Sequence, residues 1–155
     1  MITIYSNWRG KLYEYNKKLE YNIPNSIISL IEDVANKNPN SIAIETDTES
    51  ITFKDLLQKV NKTANYLLNN YNLSENSNIG VFTFREIDTI ISILAILKIN
   101  CTFIPIDPEY PIERIKYMIE TSELDYIICT KKFNKISFDK ISLITINSDL
   151  IDNYS

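Results

Sequence analysis

From about residue 77 the chain alternates short apolar runs with helical stretches, and this alternation restricts the fold more than any other feature. Ile79-Gly80-Val81-Phe82-Thr83 reads as a buried strand. Ile87, Ile90, Ile91, Leu94, Ala95 and Leu97 then form a helix that is apolar on most sides and so must be well buried. Cys101-Thr102-Phe103-Ile104-Pro105-Ile106 returns to strand. Its proline cannot donate to a ladder, which places it on an edge or ends the strand there. Asp107-Pro108-Glu109-Tyr110-Pro111 is a rigid turn, with Pro111 suited to the first helical position. Ile112, Ile115, Met118 and Ile119 carry that helix to about Thr121. Asp125-Tyr126-Ile127-Ile128-Cys129 and, after a polar stretch, Ile141-Ser142-Leu143-Ile144-Thr145-Ile146 are further strands. Strands separated by helices predict βαβ units, a parallel sheet and right-handed crossovers. The predicted fold class is α/β, a parallel sheet flanked by helices.

The region before it is organised differently. Residues 1–23 are polar, Tyr- and Lys-rich and weakly patterned, and read as a linker or arm. Pro24-Asn25-Ser26 is a helix start, and Ile27, Ile28, Leu30, Ile31, Val34 and Ala35 recur at helical spacing until Pro39 ends the run. Ile42-Ala43-Ile44 and Ile51-Thr52-Phe53, separated by Asp47-Thr48-Glu49-Ser50, predict a small hairpin. Thr52 and Asp55 stand as an N-cap and N3 pair. Phe53, Leu56, Leu57, Val60, Ala64, Leu67 and Leu68 follow at three- and four-residue steps, an amphipathic helix packed on a core. Thr83 and Glu86 have the same capping spacing ahead of the next helix.

Composition narrows the chemistry. The chain is 155 residues long and 45% hydrophobic, enough to bury a core. Its net charge of −4 argues against a nucleic-acid binder, which wants a basic face. Absence of His removes Ser-His and Cys-His nucleophile pairs and His-ligated metals. Glycine occurs only at positions 10 and 80, so no loop exists that could cradle a phosphate with several close backbone N–H groups. No basic segment followed by an apolar run opens the chain, and the longest apolar stretch, Ile87 to Ile99, is shorter than the ~20 residues a bilayer takes. A cytoplasmic protein with Cys101 and Cys129 reduced is expected, and the Asn-x-Ser/Thr triplets at Asn61, Asn72 and Asn100 read as chance.

Two segments carry a family resemblance. Ile51-Thr52-Phe53-Lys54-Asp55-Leu56 resembles the first core motif of adenylation domains. Leu94 to Pro108, continued by Glu109-Tyr110-Pro111-Ile112-Glu113-Arg114, resembles the second, with its Pro-Ile-Asp-Pro ending and Tyr-Pro-x-Glu-Arg. The resemblance runs from about residue 14 to about 150. Acyl-CoA synthetases and the D-alanine carrier-protein ligases share the fold, but Pro-Ile-Asp-Pro-x-Tyr-Pro favours the amino-acid-activating branch, the adenylation domains of nonribosomal peptide synthetases (the AMP-binding, acyl-adenylate-forming superfamily). One departure is Ile99-Asn100 where the family usually has Ala-Gly; Asn is the non-Gly residue best able to take a positive φ.

The resemblance implies the N-terminal part of such a domain over residues 24–155. Complete members use ATP and Mg to turn an amino acid into an aminoacyl-AMP and pyrophosphate, then pass the acyl group to a carrier-protein thiol. The phosphate loop, ribose carboxylate, metal site and mobile lysine of that chemistry all follow the second motif, and Ser155 falls about where the approach to the phosphate loop would begin. No catalytic, cofactor-binding or metal-binding residue is therefore assigned. No ATP or Mg is expected on this chain alone, and it is expected to be inactive by itself. Implied partners are the remainder of the adenylation domain, a carrier protein and a condensation domain, with no nucleic acid and no membrane. Two other readings stay open: a truncated, non-catalytic paralogue that binds a carrier protein or synthetase domain, and an independent small-molecule-binding α/β domain.

Several residues invite stronger readings than they support. Tyr13 and Lys17 have the spacing of a short-chain dehydrogenase pair but lack a Gly-rich turn. Cys101 and Cys129, in strands that are candidate neighbours, read as small buried hydrophobes. Asp107 and Glu109 read as turn-formers and caps before cation ligands, and Arg85 as a surface ion pair. Tyr5, Tyr13, Tyr15 and Tyr21 suit either a partner or their own domain.

Overall fold

A computed structural model describes residues 26–130, 141–146 and 151. The arm over 1–23, with Tyr13, Lys17 and its other tyrosines, lies outside them. Helix α1 (Ile27–Lys37) begins at Ser26, whose hydroxyl accepts from the Ser29 N–H at 3.1 Å while Ser29 Oγ accepts from the Ser26 N–H at 3.4 Å, a reciprocal cap built from two serines. Strands β1 (Ile42–Glu45) and β2 (Ser50–Thr52) pair antiparallel as the expected hairpin, with an irregularity between Ile42 and Ile44. Helix α2 (Phe53–Asn70) starts directly from the second strand.

The alternating half follows as β3 (Asn78–Phe82), α3 (Ile87–Lys98), β4 (Thr102–Ile106), α4 (Ile112–Thr121), β5 (Tyr126–Cys129) and β6 (Ser142–Thr145). The four strands make one parallel sheet in the order β4-β3-β5-β6. The chain steps from β3 to β4 in one direction and then back past β3 to β5. Right-handed crossovers in opposite directions put α3 and α4 on opposite faces. Burial agrees. Ile79, Val81, Ile128 and Ile144 join a core with Ala64, Leu67, Ala95 and Ile96 of α2 and α3. Phe82, Ile106, Ile127 and Cys129 join one with Ile115 and Ile119 of α4. A third cluster closes α1 and the hairpin onto the two long helices through Ile28, Ile51, Leu56, Val60, Ile91 and Leu94. Lys98 Nζ reaches Glu32 Oε1 at 2.6 Å and ties α1 to the last turn of α3. Both groups are part-exposed, so the pair contributes under about 1 kcal/mol. The hydroxyls of buried Thr63 in α2 and Thr89 in α3 have no hydrogen-bond partner among the described residues.

Three expectations need correction. Thr83 does not cap α3. Its N–H and hydroxyl both donate to the Ile106 carbonyl, at 3.0 and 3.3 Å, which extends the β3–β4 ladder by one residue. The N-cap is Glu86, and it makes no side-chain cap. Cys101 and Cys129 are not on neighbouring strands, because β3 lies between β4 and β5; both are buried and neither is disulfide-bonded. Pro111 occupies the N-cap of α4, one position before its first helical residue. Pro105 does lie on the edge strand β4.

Two positions depend on backbone rather than side-chain chemistry. Gly80, in the middle of β3, has no room for a side chain. A Cβ there would stand 2.9 Å from Ile127 Cγ1, 3.0 Å from Leu124 Cδ1 and 3.2 Å from Ile106 Cδ1. Asn100 takes φ 59°, the left-handed conformation that the turn out of α3 requires. In urea denaturation Gly80→Ala is expected to cost about 1–3 kcal/mol, the range for overfilling a packed core. Asn100→Val is expected to cost about 1–2 kcal/mol, while Asn100→Gly stays near the wild type, because only the β-branched side chain clashes at positive φ. A Val variant as stable as the wild type would show that the turn rearranges freely.

Candidate functional site

Open α/β sheets take their ligands at the carboxyl ends of the strands, where the winding direction reverses. Here that place is the crevice between β3 and β5, rimmed by the residues that leave β3, β4 and β5. Glu86 and Thr130 face each other across it. The Thr130 hydroxyl donates to Glu86 Oε1 at 2.5 Å, and both residues are half-buried. After β4, Asp107 Oδ1 accepts from the Glu109 N–H at 2.9 Å and the Asp107 carbonyl accepts from the Tyr110 N–H at 3.1 Å. These bonds make the turn, as the sequence implied. Arg114 lies over the Tyr110 ring, 4.1 Å from its centre, and so rigidifies the entry to α4. Arg85 is exposed and forms no ion pair among the described residues, against the surface salt bridge expected for it.

The two motifs make joints. In the first, Thr52 Oγ1 accepts from the Asp55 N–H at 3.2 Å and donates to Asp55 Oδ2 at 2.7 Å. The Asp55 carboxylate therefore holds the capping hydroxyl instead of reaching back to the Thr52 backbone. The next N–H groups, of Phe53 and Lys54, donate to the carbonyls of Ser41 and Pro39 and stitch the start of α2 to the hairpin. In the second motif, the Ile99, Asn100 and Cys101 N–H groups donate to the carbonyls of Ala95, Leu97 and Ile96 and close the end of α3. Burial pushes the Cys101 thiol up from its ordinary value, with a backbone hydrogen bond at Ser77 pulling the other way. Its Sγ lies 3.4 Å from the Ser74 carbonyl, so Cys101 is a packed thiol held against the backbone.

These residues do not fit magnesium-ATP. Among the described residues no three Cys, Asp or Glu side chains gather as a metal would require. The crevice carries the Glu86 carboxylate, and Gly80 lies inside β3, not in a loop. An anion there would meet the negative charge of Glu86. A groove of about 490 Å³ between α1 and α2 is lined by Pro39, Lys54, Leu57 and Gln58, and Lys54 is the one ionisable residue in its lining. Sequence reasoning missed the Glu86–Thr130 contact. The two lie 44 residues apart, and no local spacing announces the pair.

A family model described as AMP-binding enzyme matches residues 31–150. The chain is 34% identical to tyrocidine synthase 3 of Brevibacillus parabrevis over 117 residues, 76% of this chain and 2% of that protein. It is 33% identical to bacitracin synthase 2 of Bacillus licheniformis over 135 residues, 86% of this chain and 5% of that protein. Gramicidin S synthase 1 of Brevibacillus brevis matches at 34% over 116 residues, 75% and 10% respectively. The chain thus spans a tenth or less of the length of these relatives. The Klebsiella oxytoca NpsA N-terminal subdomain in complex with anthranilyl-AMSN superposes with a TM-score of 0.74 at 19% identity, covering 84% of this chain and 33% of that one. An artificially fused adenylation-PCP di-domain from the same organism gives 0.73 at 20%, covering 84% and 24%. At such identities these structures speak for the fold alone. Among the described residues no helix is long and apolar enough to cross a membrane. With the motif joints, the doubly faced parallel sheet and the matched span, this chain belongs to the AMP-binding enzyme family, as an N-terminal portion of an adenylation domain.

Proposed function

We propose that this chain supplies the scaffold of an amino-acid-activating adenylation domain of the peptide-synthetase kind, and that it is inactive by itself. The complete enzyme would use ATP and magnesium to convert an amino acid to its aminoacyl-AMP with release of pyrophosphate. It would then transfer the aminoacyl group to a carrier-protein thiol, in the cytoplasm. Carrier protein and condensation domain are the partners this reading names. The observation that carries it is the family match over residues 31–150 combined with motifs whose polar atoms are spent on turns and caps. In-line attack at the α-phosphate needs donors and cations positioned around the phosphorus. The described residues hold Glu86, Asp107 and Thr52 in contacts with the protein itself. No catalytic residue is therefore assigned to this chain.

The test is isothermal titration of the purified chain with ATP and magnesium, run beside amino-acid-dependent pyrophosphate exchange. The expected outcome is no exchange above background and no saturable heat. Exchange that depends on one amino acid would mean that the chain handles phosphates without a Gly-rich loop, and the scaffold reading would be wrong.

A further inference from the structure

Glu86 occupies the N-cap of α3, where a side chain ordinarily accepts from the exposed N–H groups of the first turn, yet it makes no such bond. Its carboxylate reaches instead to Thr130, the residue that follows β5, at 2.5 Å. Hydrogen bonds from a hydroxyl to a carboxylate are shorter and stronger than those between neutral groups. Half-burial of both partners limits competition from water. The bond joins the loop leaving β3 to the chain leaving β5, and these strands are hydrogen-bonded neighbours from which the chain winds to opposite sides.

We propose that Glu86 is a positioning residue: its carboxylate fixes the chain where it departs from β5, through Thr130, and does so instead of capping α3. The inference rests on the geometry at the sheet's carboxyl end and is independent of the adenylation reading. Tertiary position accounts for the choice. The Thr130 hydroxyl offers the carboxylate a donor across the crevice, and the first turn of α3 keeps Asp88 as a negative charge near its positive end.

Trypsin digestion of the full chain tests this, because Lys131 and Lys132 immediately follow Thr130. Cleavage after Lys131 and Lys132 is compared with cleavage after Lys59 and Lys62 within α2, in the wild type and in Thr130→Val, Thr130→Ser, Glu86→Ala and the Glu86→Ala/Thr130→Val pair. Thr130→Val and Glu86→Ala are each expected to speed cleavage after Lys131 and Lys132 about tenfold, the factor implied by losing one hydrogen bond to a charged group. Thr130→Ser keeps the hydroxyl and stays at the wild-type rate. In the Glu86→Ala background Thr130→Val adds no further rise, since its bond is already lost. A wild-type rate for Thr130→Val, a Thr130→Ser rate equal to that of Val, or an equal rise at Lys59 and Lys62 would each overturn the proposal. The last would show that Glu86 acts on global stability instead.

Discussion

The structure depends on β3 being covered on both faces and bonded on both edges. Ile79, Val81 and Phe82 are fully buried. The strand's side chains alternate between the core under α2 and α3 and the core under α4. A strand sealed this way has no polar face to turn outward, so its backbone groups must be satisfied by β4 and β5. That requirement sets the sheet order, and the order sets the faces on which α3 and α4 lie. Gly80 belongs to the same constraint: Ile127, Leu124 and Ile106 occupy the space its side chain would need.

Around this strand, the residues that mark the family act as joints. Thr52 and Asp55 fix the start of α2 to the hairpin, and Ile99 to Cys101 fold the end of a buried helix into an edge strand. Asp107 shapes the turn into α4. Thr52, Asp55 and Asp107 are polar because a backbone group needs a partner where regular structure stops.

The elements were legible where periodicity was strong. The deep burial of α3 followed from its dense apolar run, with Ile87, Ile91 and Leu94 in the core under α1 and the hairpin and Ala95 and Ile96 in the core on the sheet, and the edge position of β4 followed from a proline that cannot donate. The left-handed turn at Asn100 was legible because few residues other than glycine tolerate it. Thr83 misled, because a capping spacing competes with any stronger acceptor nearby, and the Ile106 carbonyl on the neighbouring strand was nearer at hand. Adjacency of the cysteines misled because strands consecutive in the chain need not be adjacent in a sheet whose winding reverses.

By itself the sequence determined what local chemistry controls: helix periods, strand runs, the cap at Thr52, the turn at Asp107 and the absence of a glycine loop. Only the tertiary structure decided what depends on elements far apart in the chain: the order β4-β3-β5-β6, the close packing over Gly80 and the meeting of Glu86 with Thr130. The physical reason is range. Periodicity and capping act within a few residues, whereas ladder pairing and core packing choose their partners by shape and burial, without regard to separation along the chain.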